Sequence, residues 1–165
     1  KGSYARAPYF KQFYPALSDM LNRGAGFKYL ADLNICLISE FCRILGINIE
    51  GIFARSSELA VAGKKSDLNM NIIKHFCGNV YLSGTEAKNY QDESEFARNS
   101  IRLVYQEIYN FLSRHPYNQV HGGFINGLSI VDALLNIGPD GILCLFAAFD
   151  RELERLSVAD GKLEK

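Results

Sequence analysis

The sequence carries no net charge, because eighteen lysines and arginines are offset by eighteen aspartates and glutamates over 165 residues. With neither an overall positive field nor a basic stripe, it has no electrostatic means of collecting nucleic acid or an anionic membrane. Partners must be found by local chemistry. The tightest basic pair, Lys64 and Lys65, stands alone, and the stretch from Arg151 to Arg155 is broken by Glu152 and Glu154, the pattern of a solvated helical face. Cysteine is scarce as well. Cys36, Cys42, Cys77 and Cys144 lie far apart without C-x-x-C spacing, which excludes a disulfide scaffold and reads as small core residues in a reducing, cytoplasmic compartment. No run reaches the roughly 18 to 20 apolar residues of a membrane span, and no signal-peptide pattern opens the chain. Repeats and low-complexity blocks are also missing, so nothing supports more than one domain.

What is present is ordinary globular material, with 48% hydrophobic and 22% charged residues. A chain of this length buries roughly 70% of the surface its unfolded form exposes. A single α/β domain over residues 1–165 is expected. The first residue is Lys1, and KGSYARAPYF reads like the interior of a longer polypeptide, so an N-terminal segment of the full protein is expected upstream.

Hydrophobic spacing lays out the elements. Phe10, Phe13, Tyr14, Leu17 and Leu21 predict a helix over Pro8–Leu21 with Pro8 in its first turn, and Leu30, Leu33, Leu37, Phe41 and Leu45 predict a second one that stops at Gly46. Ile47 to Ala54 reads as a short strand ending at Arg55, Ser56 and Ser57. Ser66 or Asp67 is suited to cap a helix carrying Leu68, Ile72, Ile73 and Phe76. A strand at Val80–Leu82 follows, broken by Ser83 and Gly84, then a helix over Lys88–Arg98 and a strand over Ile101–Glu107. Strands separated by single helices pair in parallel with right-handed crossovers, so the expected fold is α/β: a small, mainly parallel sheet with helices on both faces and a helical C-terminal end. From Tyr109 to Gly127 the periodicity is lost, and such long irregular segments tend to carry function. Leu128–Asn136 and a second stripe from Pro139 through Leu156 form the helical end, separated by Gly138.

Three stretches carry a resemblance to a known family: YARAPYF at Tyr4 to Phe10, YLSGTEAKNYQD at Tyr81 to Asp92, and PYNQVHGGFINGLSIVDALLN at Pro116 to Asn136. With LADLN ahead of the second helix and LGI at its end, their order and spacing resemble the WbqC-like family from its middle to near its end. The resemblance implies a bacterial protein of O-antigen or related lipopolysaccharide biosynthesis. For some relatives it implies a transferase that moves an aminoacyl or acyl group onto a nucleotide-linked amino sugar. The family opens with a His-Gln-Pro-x-Tyr motif that has no counterpart here, so this chain is expected to fold while lacking a group needed for turnover.

Candidate residues follow from position. Ser56 and Ser57 close one expected strand, and Ser83 and Gly84 the next, so both turns are expected at the carboxyl edge of one parallel sheet, where open α/β folds bind ligands. Small residues there, with Gly84 expected at positive φ, would let backbone N–H groups approach a phosphate; the plainer reading is simple turns. AGKKS at Ala62–Ser66 is not a P-loop, since Glu58 and Lys65 stand where that motif needs Gly and Ser or Thr, although Lys64 can still neutralise a phosphate. His115 and His121 flank Tyr117 and Gln119 in the irregular segment, and either imidazole suits acid or base work in acyl transfer, with Asp132 to orient one. Their plainer role is loop hydrogen bonding. No metal site is expected, because two histidines and scattered cysteines do not supply three or four zinc ligands. Asn34 falls on the apolar side of the second helix, where its amide needs a backbone or ligand partner. His75 is read as structural. A small-molecule substrate, a nucleotide sugar, is the expected partner; no residue pattern identifies a cofactor or an oligomeric state. The alternative is a non-catalytic nucleotide-sugar binding or scaffold protein of the same pathway.

Overall fold

A computed structural model of the chain describes residues 2–160. In order come α1 (Phe10–Gly24), α2 (Leu30–Ile44), α3 (Ser66–His75), β1 (Val80–Gly84), α4 (Glu93–Arg98), β2 (Arg102–Gln106), α5 (Ile108–Arg114) and α6 (Ile130–Asp160), with short 3-10 turns at Ser56–Glu58 and Thr85–Asn89. The fold is mixed α/β and mostly helical. Its residues group into two compact units, one built from 1–49 with 109–165 and the other from 50–108.

The first unit is helical. In α1 the stripe buries Leu17, Met20 and Gly24, and a Cβ on Gly24 would lie 2.6 Å from Leu33 Cδ1, so the glycine admits the α2 side chain. Helix α2 ends as its sequence foretells: Gly46 takes φ 69, and the N–H groups of Gly46 and Ile47 donate back to the Arg43 and Cys42 carbonyls. The core gathers Ala7, Leu17, Met20 and Leu45 with Leu134, Leu135 and Ile142 of α6. Each of the leucine, isoleucine and methionine side chains contributes roughly 1.5 to 3 kcal/mol by leaving water. Helix α6 kinks at Gly138, whose φ is 68, and Pro139 follows. Proline has no N–H for the carbonyl four residues back, which belongs to Leu135, and the Tyr9 N–H takes that acceptor instead at 3.0 Å. By length and composition α6 is apolar enough over Ile130–Arg155 to cross a membrane, a run the sequence reading passed over. It nevertheless holds the buried polar residues Asp132 and Asn136 and contributes Leu134, Leu135 and Ile142 to the core, the character of a core helix.

The second unit is built on the expected strand, helix, strand order. β1 and β2 pair in parallel, with Val80 opposite Arg102 and Gly84 opposite Gln106. Tyr81 and Leu103 of the strands pack on Met70, Ile73, Phe96 and Ile101, and the Tyr81 and Phe96 rings stack at 5.6 Å. α4 starts at Asp92, whose Oδ1 accepts from the Ser94 N–H at 3.0 Å and the Ser94 hydroxyl at 2.6 Å.

Several expectations are corrected. Ile47–Ala54 is not a strand: Gly51 turns the chain at φ 75, and Ile52 is 75% exposed. Ser56 and Ser57 therefore follow no strand, and the pairing of their turn with Ser83 and Gly84 at one sheet edge loses its basis. β1 runs on through Ser83 and Gly84 instead of stopping at Leu82. The expected helix over 88–98 is divided, since residues 85–89 form a 3-10 turn and Asp92 restarts the chain as an N-cap. Neither Ser66 nor Asp67 caps α3; Lys65 holds that place at φ 52, and the buried Ser66 hydroxyl donates to the Tyr90 carbonyl at 3.5 Å. Cys77 and Cys144 are exposed, not core residues, and Cys77 takes φ 53 as the chain leaves α3.

Candidate functional site

The polar centre of the first unit is Asp132, in the opening turn of α6 and 3% exposed. Ser129 starts that turn: its carbonyl accepts from the Asp132 N–H at 2.8 Å and its hydroxyl from the Val131 N–H at 3.3 Å. A carboxylate there faces the positive end of the helix dipole. Asp132 Oδ2 accepts the Tyr117 hydroxyl at 2.7 Å and Gln119 Nε2 at 2.9 Å, and Oδ1 accepts Asn136 Nδ2 at 3.0 Å. The Tyr4 phenol lies close to this carboxylate. Burial first and the hydrogen bond to Asp132 second push the Tyr117 hydroxyl up to about 12, and the same causes raise Tyr4. Both phenols stay neutral donors at physiological pH.

The irregular segment is thereby ordered from within. Gln119 pairs with the Ile125 backbone as a strand would, its Oε1 accepting the N–H at 2.8 Å and its Nε2 donating to the carbonyl at 3.0 Å. Asn136 Oδ1 accepts the Val120 N–H at 2.8 Å. Asn126 Nδ2 donates to the Tyr109 carbonyl at 2.6 Å and to the Ser113 hydroxyl at 2.8 Å. The next residue along the pinned chain is His121, which is exposed, and its Nε2 lies 2.5 Å from the Ser3 carbonyl oxygen. A carbonyl can only accept, so Nε2 carries the proton and Nδ1 of the neutral ring keeps its lone pair. Gly122 and Gly123 follow at φ 70 and 68, with open space where each Cβ would be.

Of the expected site residues, Tyr117, Gln119 and Asp132 come together. Neither histidine bonds Asp132, whose oxygens are taken by Tyr117, Gln119 and Asn136, so the carboxylate orients the loop and not an imidazole. His115 stacks on Phe111 at 4.5 Å and sits 3.8 Å from Glu152, a carboxylate it shares with Arg114. Asn34 is exposed on α2, so the buried amide expected there does not exist. Ser56, Ser57, Lys64, Ser83 and Gly84 belong to the second unit, where only Ser83 is buried, and the first three are exposed. Gly84 adopts φ −67 and ψ 148, an ordinary extended conformation, not the positive φ expected. His75 packs edge-on against Phe76 at 4.9 Å. Among the described residues, no group of three His, Cys, Asp or Glu is arranged to hold a metal. Sequence reasoning missed Ser3, Tyr4 and Asn136; the signals were a tyrosine in the first motif and an amide one helical turn after Asp132.

The WbqC-like protein family model matches residues 1–143. The chain belongs to the WbqC-like family. Over 111 residues it is 32% identical to an uncharacterized protein of Mycobacterium tuberculosis (strain H37Rv), a match covering 67% of this chain and 46% of that protein. The chain thus spans about half the length of this relative. No solved structure matches it. The WbqC-like match includes both stretches that meet at Asp132, the Tyr4–Phe10 motif and the Pro116–Asn136 run.

Proposed function

We propose that this WbqC-like chain is part of a cytoplasmic enzyme of bacterial surface-polysaccharide biosynthesis that transfers an aminoacyl or acyl group to the amine of a nucleotide-linked amino sugar. The observation that carries the reading is the His121 ring, held by its Nε2 proton on the Ser3 carbonyl with Nδ1 left as a basic lone pair at the surface. An acceptor amine attacking an acyl carbonyl forms the C–N bond, the bond to the donor's leaving group breaks, and the proton shed by the amine passes to Nδ1. Asp132 is a positioning residue in this scheme. Through Gln119 it holds the segment that presents His121.

Native mass spectrometry of freshly purified protein tests the substrate class, with a retained nucleotide-sugar mass expected. Assays on candidate amino-sugar nucleotides and acyl donors then compare the protein at its native length with its His121→Ala variant. Loss of a general base costs about 10² to 10⁴-fold in rate. Equal turnover in the variant would remove His121 from the reaction, and a retained nucleotide sugar without turnover would leave a carrier instead of an enzyme.

A further inference from the structure

The two-stranded sheet of the second unit is unfinished. Parallel sheets occur almost only with several strands and with both faces covered, because the uncovered face would expose apolar side chains and the edges would expose backbone polar groups. Here one face, with Tyr81 and Leu103, packs on the core, while the other presents Val80 at 46% exposure and Leu82 at 51% beside Val104. The Arg102 N–H donates to the Asn79 carbonyl at 2.9 Å, which sets the phase of the ladder. In a parallel pair with this phase, Tyr81 turns its backbone groups toward β2, and Val80, Leu82 and Gly84 turn theirs outward. No other strand among the described residues meets that outer edge. A largely apolar cleft of about 260 Å³ adjoins β1, lined by Asn69, Ile72, Ile73 and Phe76 of the α3 region with Gly78, Val80 and Tyr81 and by no residue of β2.

We infer that the outer edge of β1 is a docking site for a third β-strand with alternate apolar side chains, supplied by the protein's own polypeptide outside these 165 residues. Main-chain hydrogen bonds to Val80, Leu82 and Gly84 would hold it, and its alternate side chains would cover Leu82 and fill the cleft beside Phe76. The occupant follows from size: the match covers 67% of this chain but 46% of the Mycobacterium tuberculosis relative, so that relative is the longer protein and has polypeptide beyond the counterpart of these residues to supply a strand in cis. An edge this apolar, left bare, is an aggregation hazard that natural sheets avoid.

The test is residue-resolved hydrogen exchange on the protein at its native length, with light scattering to give its mass. The expected result is a monomer in which the Val80, Leu82 and Gly84 amides exchange at least about 100-fold more slowly than exposed amides. Leu82→Lys should remove this protection while the Tyr81 and Val104 amides of the existing ladder stay protected, and Leu82→Ser is the milder variant should lysine unfold the unit. Fast exchange at the three outer amides would overturn the inference. Protection that appears only in a dimer and fades on dilution would overturn it too, since the occupant would then be a second copy.

Discussion

Tyr117 and Asp132 are joined by a 2.7 Å hydrogen bond across fifteen residues of sequence, the phenol donating to a carboxylate that is almost wholly buried. A charge in that position is tolerable because every neighbour of its oxygens is a donor. This makes the loop between α5 and α6 an ordered structure and fixes where His121 can be.

Replacing the acceptor should be costly. Asp132→Asn keeps the shape but turns an NH2 group toward at least one of Tyr117, Gln119 and Asn136, all donors in the native arrangement. The expected loss is about 3 kcal/mol, the scale of losing charge-assisted bonds in a buried site. Urea denaturation at neutral pH measures it. A change below about 0.5 kcal/mol, the level of an ordinary surface substitution, would mean that the carboxylate does not hold the loop.

The same bond gives a pH signature. The Tyr117 pKa is raised to about 12 in the fold from a reference of 10.0, chiefly by burial and then by Asp132. The fold therefore favours the neutral phenol, so its contribution is full below pH 10 and is lost as pH rises through 12. Stability should fall across that alkaline window. Tyr117→Phe should start lower by about 1.5 to 3 kcal/mol, the value of a hydrogen bond to a charged group, and show a shallower alkaline decline. Parallel declines in the two proteins would assign the alkaline loss to other groups.

How much of this was legible in advance depends on the range of the interactions. α1, α2, β1 and β2 were readable because each is set by local periodicity, and Gly46 marked a helix end that its φ of 69 realises. Ile47, Ile49 and Ile52 alternate just as a strand does, yet no strand pairs with them, and alternation cannot report whether a partner exists. Asn34 sat near an apolar stripe in the sequence, but α2 has no buried residue, so the amide remains in water. Asp132 was expected to orient a histidine, and its oxygens bond Tyr117, Gln119 and Asn136 instead. Its actual dependents Gln119 and Asn136 were not recognised as such, because a bond like that of Gln119 to Asp132 closes across an irregular loop and leaves no local pattern.

The kink in α6 gives a steric prediction. Gly138 has φ 68, and a Cβ there would lie 2.6 Å from two carbons of the Tyr9 ring. Gly138→Ala should therefore cost about 2 to 4 kcal/mol, combining the left-handed strain with the displaced ring. Adding Tyr9→Leu should recover the ring's share and leave the backbone's, giving a non-additive double-mutant cycle. Strict additivity would show that Tyr9 does not pack on the kink.

Two glycines of the second unit should behave oppositely. At Gly63 the φ is 133, and a Cβ would lie 2.8 Å from the Leu68 nitrogen and 3.0 Å from the Asp67 carbonyl carbon, backbone atoms of α3 that have no freedom to retreat. At Gly84 the φ is −67, and a Cβ meets nothing within 4 Å. Gly63→Ala is therefore expected to lose about 2 to 3 kcal/mol, from an unfavourable φ together with a contact that must shift the start of α3. Gly84→Val should stay within about 0.5 kcal/mol of the parent, because extended backbone at a strand end suits a β-branched residue. The comparison is made by chemical denaturation of the two variants beside the parent, with hydrogen exchange at α3 reporting whether Gly63→Ala loosens that helix. If Gly84→Val proved the more damaging, some group absent from these residues would have to approach the strand end closely. If Gly63→Ala were neutral, α3 could shift to accept the methyl group, and the tight turn would not be what sets its start.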